Sequence, residues 1–222
     1  MLYILNSILN YIQKINYKKG GNIMLNEKII ALLMEIGGEV ENINIISDNE
    51  IEVDGFTYLV LDDDESDEYY YDLQSQLIED MGLEGFSESF QDWIINNCID
   101  TQDFDEMLEE SNRIYIDDIR GEDASSDNFE NRLEEEMEEN GCISEDEFLE
   151  YLNEQWDNSI DWYRENFGDN ELRDYIKNNP HLINWNEVIE ECKSIDGRGH
   201  MISSYDGEEI ELEDGYYAYR ID

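Results

Sequence analysis

The spacing of apolar residues predicts strands near both ends of the chain. From Asn26 to Ile36, apolar side chains recur at helical spacing before a Gly-Gly pair, which predicts a short amphipathic helix. Three apolar or β-branched runs follow, and we interpret them as strands at 43–46, 51–53 and 56–61. The Asp54-Gly55 pair separates the last two runs and is a strong signal for a two-residue hairpin turn.

The middle of the chain changes to a period typical of helices. Helical patterns occupy these segments: 62–78, 87–97, 103–110, 129–139, 144–156, 159–166, 170–177 and 185–192. Ser144 precedes Glu147 by three residues, which fits a capping box at the start of one helix. The segment 121–126 has a loop-like composition and is the best candidate for a boundary.

The chain closes with a second set of predicted strands, at 200–205, 208–212 and 216–221, joined at two Asp-Gly pairs. The predicted fold class is therefore α+β, with antiparallel strand meanders near both ends and a mainly helical middle. The two meanders can meet in one antiparallel sheet.

Residues 1–23 differ from everything after them, because they carry three Lys and no carboxylate. The stretch from Lys18 to Met24 back-translates to a bacterial ribosome-binding sequence at normal spacing before a start codon. We therefore expect residues 1–23 to be a non-native, upstream-translated extension; a genuine amphipathic helix is the alternative. We expect an N-terminal α+β part at 24–120 and a helical part with the closing strands at 121–222, as two domains or one.

The charge of the chain is extreme. Asp and Glu number 59 against 13 Lys and Arg, a net charge of -46. No Lys or Arg occurs from Ile29 to Asn112, a stretch with 25 carboxylates. Such a charge repels phosphates, which argues against direct binding to nucleic acid or anionic membranes. Because 40% of residues are hydrophobic and 12% aromatic, we expect a folded protein whose natural partner is a basic protein surface.

The remaining residue types favour neither catalysis nor a cofactor. Cys98, Cys142 and Cys192 form no CxxC pair, which fits reduced thiols in a cytosol. No stretch meets the pattern of an EF-hand, and no window is apolar enough for a membrane span. We interpret His181 as a cap or surface residue and His200 as the entry to a hairpin. We therefore expect no enzyme activity, no metal and no cofactor.

Clustered carboxylates are the candidate partner-binding residues. Three clusters stand out: Asp62, Asp63, Asp64, Glu65, Asp67 and Glu68; Asp103, Asp105, Glu106, Glu109 and Glu110; and Glu134, Glu135, Glu136, Glu138 and Glu139. A thinner one comprises Glu208, Glu209, Glu211, Glu213 and Asp214. One helix face offers a side chain per turn of about 5.4 Å, whereas each DNA strand carries a charge per about 3.4 Å. To reproduce the charge spacing of a DNA duplex, a protein therefore needs several acidic helices or strands side by side.

Two stretches carry a resemblance. One is Tyr58–Glu68, with the sequence YLVLDDDESDE; the other combines DGRGH at 196–200, SYDGEE at 204–209 and YYAYR at 216–220. Both resemble a family of small phage and prophage proteins that are mostly uncharacterised. The resemblance implies an origin in a mobile element, and it carries over no catalytic residues.

Acidity, a folded aromatic core and mobile origin together predict a phage-encoded nucleic-acid mimic. It would act in the host bacterial cytoplasm and block the DNA- or RNA-binding cleft of a CRISPR effector, a restriction enzyme or another defence nuclease. Tyr69, Tyr70 and Tyr71 either contact Arg of that partner or belong to the core. One alternative is a non-catalytic regulatory or structural phage protein that binds a basic host factor unrelated to DNA. A third reading is an enzyme that uses the His200 region.

Overall fold

The computed structural model describes residues 23–37, 43–125 and 132–222. Its helices are α1 Ile23–Ile36, α2 Asp63–Met81, α3 Glu88–Asn97, α4 Gln102–Ser125, α5 Arg132–Glu139, α6 Glu145–Asn153, α7 Ser159–Phe167, α8 Asp169–Asn178 and α9 Trp185–Ile202. Its strands are β1 Ile43–Ile45, β2 Glu50–Val53, β3 Phe56–Asp62, β4 Ile210–Glu211 and β5 Tyr216–Arg220. The predicted fold class is confirmed: the fold is α+β, with strands near both ends and a helical middle. The expected extension lies outside the described residues, except for Ile23, which begins α1.

The chain divides into two compact units. The first, which we call the sheet unit, comprises the described residues up to Met81 together with 189–222. The second, the helical unit, comprises 82–188. Residue 120, after which the sequence analysis placed a boundary, lies within α4.

The two ends of the chain meet in one antiparallel sheet, with the strand order β1-β2-β3-β5-β4. Its central pairing joins β3 to β5, with Val60 opposite Ala218. Ile29, Leu32 and Leu33 of α1 are buried in the same core cluster as apolar residues of the sheet. Every residue from Tyr58 to Leu61 is buried, so both faces of β3 are covered.

The turn between β2 and β3 forms as predicted. Asp54 has φ of 53° and Gly55 has φ of 87°. A type I′ turn requires positive φ at both central residues, which Asp and Gly tolerate better than other residues. This turn sets the register in which Val53 pairs with Phe56.

Two predictions in the helical unit are partly wrong. The helix predicted at 103–110 runs from Gln102 to Ser125, and the predicted loop at 121–126 is helical up to Ser125, with residue 126 outside the described part. The helix continues because Ile116 and Ile119 lie in a buried cluster with Leu133 and Phe148. Residues 129–131 of another predicted helix also lie outside the described part. The Ser144 cap of the predicted capping box is present: Glu147 N donates to Ser144 Oγ at 3.2 Å, and the Glu147 carboxylate accepts from Ile143 N at 2.8 Å.

The predicted strand at 200–205 is wrong. Helix α9 continues to Ile202, with an internal kink at Gly197, where φ is 74°. Gly199 lies so close to the chain that a Cβ there would be 2.6 Å from Glu209 N. His200 is therefore in the last turn of a helix and not at a hairpin entry, and the strand expected at 208–212 shortens to Ile210–Glu211.

Candidate partner-binding surface

The positions of the Lys and Arg side chains determine which carboxylates are paired with a cation and which contribute unbalanced negative charge to the surface. Throughout the described part of the chain, each Lys and Arg contacts an acidic, carbonyl or aromatic group of its own unit. The helical unit has 32 Asp and Glu against six Lys and Arg, a difference of -26. The corresponding numbers for 1–81 with 189–222 are 27 and seven, a difference of -20.

In the first cluster, two carboxylates form the start of α2. Glu65 N donates to Asp62 Oδ1 at 2.8 Å, and Asp62 N donates to Glu65 Oε2 at 3.0 Å, which makes a reciprocal capping box. Glu65 also accepts from Lys28 Nζ at 2.7 Å, and Lys28 is only 2% exposed. Partial burial alone would raise the pKa of Glu65, but the bonds from Lys28 and the Asp62 amide outweigh it and lower that pKa.

Arg198 engages two more members of this cluster. Its Nη1 lies 2.8 Å from both Asp63 Oδ1 and Asp67 Oδ1. Its Nε and Nη2 donate to the two oxygens of Glu209 at 2.9 and 3.1 Å, a bidentate pair. The Arg198 side chain is 10% exposed, and its guanidinium stands 4.5 Å from the centroid of the Tyr217 ring. Burial would lower the pKa of Arg198, but its carboxylate partners raise it.

Lys193 adds a second cation at Asp67, with 2.7 Å between Nζ and Oδ2. Partial burial would raise the pKa of Asp67, but the bonds from Lys193 and Arg198 outweigh it and lower that pKa. Asp62, Asp63, Glu65 and Asp67 are thus engaged within the sheet unit. Asp64 and Glu68 are exposed and point their charges to solvent.

The three tyrosines beside this cluster differ in burial. Tyr70 is a core residue, 1% exposed, and burial raises its pKa to about 12. Tyr69 is exposed and Tyr71 is half-buried. Of the two roles considered for these residues, Tyr70 therefore has the structural one.

The second cluster lies on the first turns of α4, whose buried side carries Phe104 and Leu108. Neutral donors contact three of its carboxylates: Tyr175 OH to Asp103 at 3.4 Å, Thr101 Oγ1 to Asp105 at 3.0 Å, and Gln102 Nε2 to Glu106 at 3.1 Å. These bonds orient the carboxylates without neutralising them. Arg113 Nε pairs with Glu109 at 3.1 Å on an exposed surface, and Glu110 is exposed.

The third cluster lies on α5, which packs against α4 through the Ile116, Leu133 and Phe148 core. Glu136 accepts from Tyr115 OH at 2.9 Å and from Arg132 Nε at 3.1 Å, so one bond joins the two helices directly. The other four carboxylates are exposed: Glu134, Glu135, Glu138 and Glu139. The structure thus brings the second and third clusters onto neighbouring helices of one unit.

A neighbouring set of acids is absent from the sequence-predicted site. Helix α6 also packs against α4, and Glu145, Asp146 and Glu150 are exposed on it. Arg120 bridges Asp117 of α4 and Glu145 of α6, which ties the two acidic surfaces together.

The thin fourth cluster, like the first, contains both paired and exposed carboxylates. Glu209 is engaged by Arg198 and also accepts from Tyr219 OH at 2.7 Å. Glu208, Glu211, Glu213 and Asp214 are exposed. The DGRGH motif at 196–200 therefore has a structural explanation. Gly197 allows the kink in α9, Arg198 pairs with several carboxylates, and Gly199 leaves room for the backbone of residues 207–209.

Other kinds of site find little support in the described ranges. There, no group of three or more His, Cys, Asp and Glu is arranged to hold a metal, and none of the helices is long and apolar enough to cross a membrane. His181 and His200 are both exposed, and the buried Ser203 hydroxyl bonds to Asp206 and to the Arg220 carbonyl. Comparisons with protein-family models, with curated proteins and with solved structures each give no match.

Proposed function

We propose that the protein is a phage-encoded, non-catalytic mimic of nucleic acid that occupies the DNA- or RNA-binding cleft of a host defence protein. The observation that carries the proposal is the acidic surface of α4, α5 and α6 in the helical unit. Three neighbouring helices there expose carboxylates, in a unit whose 32 Asp and Glu exceed its six Lys and Arg by 26. The resemblance of the DGRGH, SYDGEE and YYAYR segments to phage proteins supports the origin.

The spacing of charges supports the use of several helices. Asp103, Glu106, Glu110 and Asp117 follow one another at helical spacing and share one face of α4. They span about 21 Å along the axis, a length over which one DNA strand carries about six phosphates. These four charges, of which Asp117 is already paired with Arg120, fall short of that density, and the exposed acids of α5 and α6 add the remainder.

The mechanism is competition. Carboxylates of the helical unit take the positions of phosphates against Lys and Arg of the target cleft, and binding releases counterions as DNA would. Asp63, Glu65 and Asp67 of the first cluster contribute less, because contact with a partner would break their pairs with Lys28, Lys193 and Arg198. The target is a CRISPR effector, a restriction enzyme or another defence nuclease in the bacterial cytoplasm.

The test begins with capture of partners from a host lysate on the immobilised protein, followed by purification of the captured protein. Fluorescence anisotropy then measures whether the acidic protein displaces a labelled duplex from it. We expect competitive displacement and an affinity that falls steeply with salt. Simultaneous binding of duplex and acidic protein would contradict mimicry and favour a basic host factor unrelated to DNA.

A further inference from the structure

The helical unit contains an apolar groove between α4 and α7, with a volume of about 560 Å³. Such a volume falls within the range of about 300–1,000 Å³ that is usual for ligand-binding clefts. Met107 and Ile114 of α4 line one side, and Trp162 and Phe167 of α7 line the other. The groove is thus large enough for bulky side chains of a ligand.

The groove walls are preformed. Trp162 is buried, and its ring stands edge-on to the Phe167 ring with 5.8 Å between centroids. The Tyr163 ring also packs against Phe167, with 4.6 Å between ring centroids. Even so, Ile114 is 53% and Phe167 52% exposed, so apolar area remains open to solvent in a very acidic surface. Large apolar side chains exposed together mark an interaction site more often than scattered ones.

The rim of the groove is acidic. Asp103, Glu106 and Glu110 line it beside the apolar walls. The side chains that donate hydrogen bonds to the first two, Tyr175 and Gln102, are neutral. A ligand for this groove therefore needs apolar groups for the walls and positive charge for the rim.

We propose that the groove binds a basic amphipathic helix of a partner protein. One or two large apolar side chains of that helix enter between Ile114 and Phe167, and flanking Lys or Arg pair with the acidic rim. The inference goes beyond mimicry of nucleic acid, because phosphates offer nothing to an apolar groove. It holds or fails independently of whether the partner is a nuclease.

The test uses the full chain and a fluorescein-labelled amphipathic helical peptide of Lys and Leu, measured by fluorescence anisotropy. Two comparison peptides separate the contributions: oligolysine of equal charge, and a Lys/Leu peptide of the same composition with the Leu scattered round the helix. We expect the amphipathic peptide to bind about tenfold more tightly than either, since burial of one large apolar side chain is worth about that factor. Equal binding of all three would overturn the proposal.

Variants locate the binding. Ile114→Gln should weaken binding of the amphipathic peptide about tenfold. Ile143→Gln, the same change at a side chain of the same unit that is 88% exposed and outside the groove, should leave binding unchanged. Equal losses in the two variants, or none in either, would overturn the proposal. Circular dichroism of each variant shows that it is folded.

Two double variants with equal loss of charge test the acidic rim. Glu106→Gln with Glu110→Gln should weaken the peptide several-fold, because two charges next to bound Lys are lost. The double variant Glu138→Gln with Glu139→Gln removes the same amount of charge from α5 and should weaken binding of the peptide less. If both pairs lose equally, attraction is diffuse and the groove is not the site.

Discussion

Arg198 in the sheet unit has three carboxylate partners and is 10% exposed, whereas the cations of the helical unit are between 28% and 57% exposed. The same type of residue therefore has different consequences in the two units. Around Arg198, acids stabilise the fold through partly buried pairs. On the helical unit, most acids repel one another at the surface, and their charge is available to a partner. Acidity alone does not show which carboxylates are engaged within the fold; the position of each cation does.

The two units can be followed separately. All four Trp residues belong to the helical unit: Trp93, Trp156, Trp162 and Trp185. Trp fluorescence during urea unfolding therefore reports on that unit. Hydrogen exchange of the amides in β3 and β5 reports on the sheet unit.

The largest effect is expected from Arg198→Ala. Without the guanidinium, Asp63, Asp67 and Glu209 repel one another, and the sheet unit should lose about 2–3 kcal/mol of unfolding free energy. This is below the cost of breaking a fully buried pair, because Asp63 and Asp67 stay partly exposed. The measurement is hydrogen exchange of β3 and β5.

The matched control is Arg113→Ala in the helical unit, where the pair with Glu109 is exposed on both sides. The unfolding free energy of this variant, followed by Trp fluorescence, should stay close to that of the wild type. Equal costs for the two Arg variants would remove the distinction between the units.

Gly199→Ala should destabilise the sheet unit by about 2 kcal/mol. Its Cβ would meet backbone atoms at 2.6–2.7 Å, so the chain at residues 207–209 must shift. Gly141→Ala in the helical unit meets nothing within 4 Å and should cost only about 1 kcal/mol, from its φ of 75°. Urea midpoints of both variants test this order, and a Gly199 variant as stable as the wild type would refute the close approach.

Local signals in the sequence account for much of the fold. The hairpin at Asp54-Gly55 and the capping box at Ser144 depend only on neighbouring residues, and both were predictable. The strand predicted at 200–205 failed because Gly199 meets the backbone of Glu209, a contact made in the tertiary fold. The helix predicted at 103–110 ended too early. The loop-like composition after residue 120 drew attention away from Ile116 and Ile119, which continue the helical periodicity and are buried.

The candidate surface was less predictable than the fold. Clusters of Asp and Glu are visible in the sequence, but their pairing with distant Lys and Arg residues is not. Lys28 meets Glu65 across 37 positions, and Arg198 meets Asp63 across 135. Only the fold shows that the first cluster is largely engaged, and that α4, α5 and α6 expose their acids side by side.

Acid should affect the two units in opposite directions. The pKa values of Glu65 and Asp67 are lowered in the fold, so their stabilisation is present above the ordinary carboxyl pKa and is lost as pH falls through the lowered values. Below about pH 4 the sheet unit should therefore lose stability as these two groups become protonated. Protonation of unpaired acids relieves repulsion in the helical unit, whose stability should hold or rise over the same range.

Hydrogen exchange and Trp fluorescence, compared between about pH 6 and pH 3, test this difference. The variant Glu65→Gln with Asp67→Asn should flatten the pH dependence of the sheet unit. A parallel decline of both units would show that their acids are engaged alike.

The smallest effect is expected from Glu138→Gln with Glu139→Gln at the end of α5. Negative charge at a helix C-terminus is unfavourable, so the helical unit should gain a few tenths of a kcal/mol. Asp67→Asn in the sheet unit should instead destabilise, because it removes the carboxylate that pairs with Lys193 and one of the three that pair with Arg198. Urea unfolding with both probes measures the two signs, and a loss of stability in the α5 variant would contradict the account.

The salt dependence of binding to the captured target tests the central claim most directly. The helical-unit variant removes one exposed charge from each of α4, α5 and α6: Glu106→Gln, Glu138→Gln and Glu150→Gln. The sheet-unit variant removes three exposed charges from α2: Asp64→Asn, Glu68→Gln and Asp80→Asn. We predict that the first raises Kd and makes the slope of log Kd against log salt shallower by up to about 3, whereas the second changes neither. An unchanged slope in the first variant, or an equal change in both, would contradict the assignment of the interface to the helical unit.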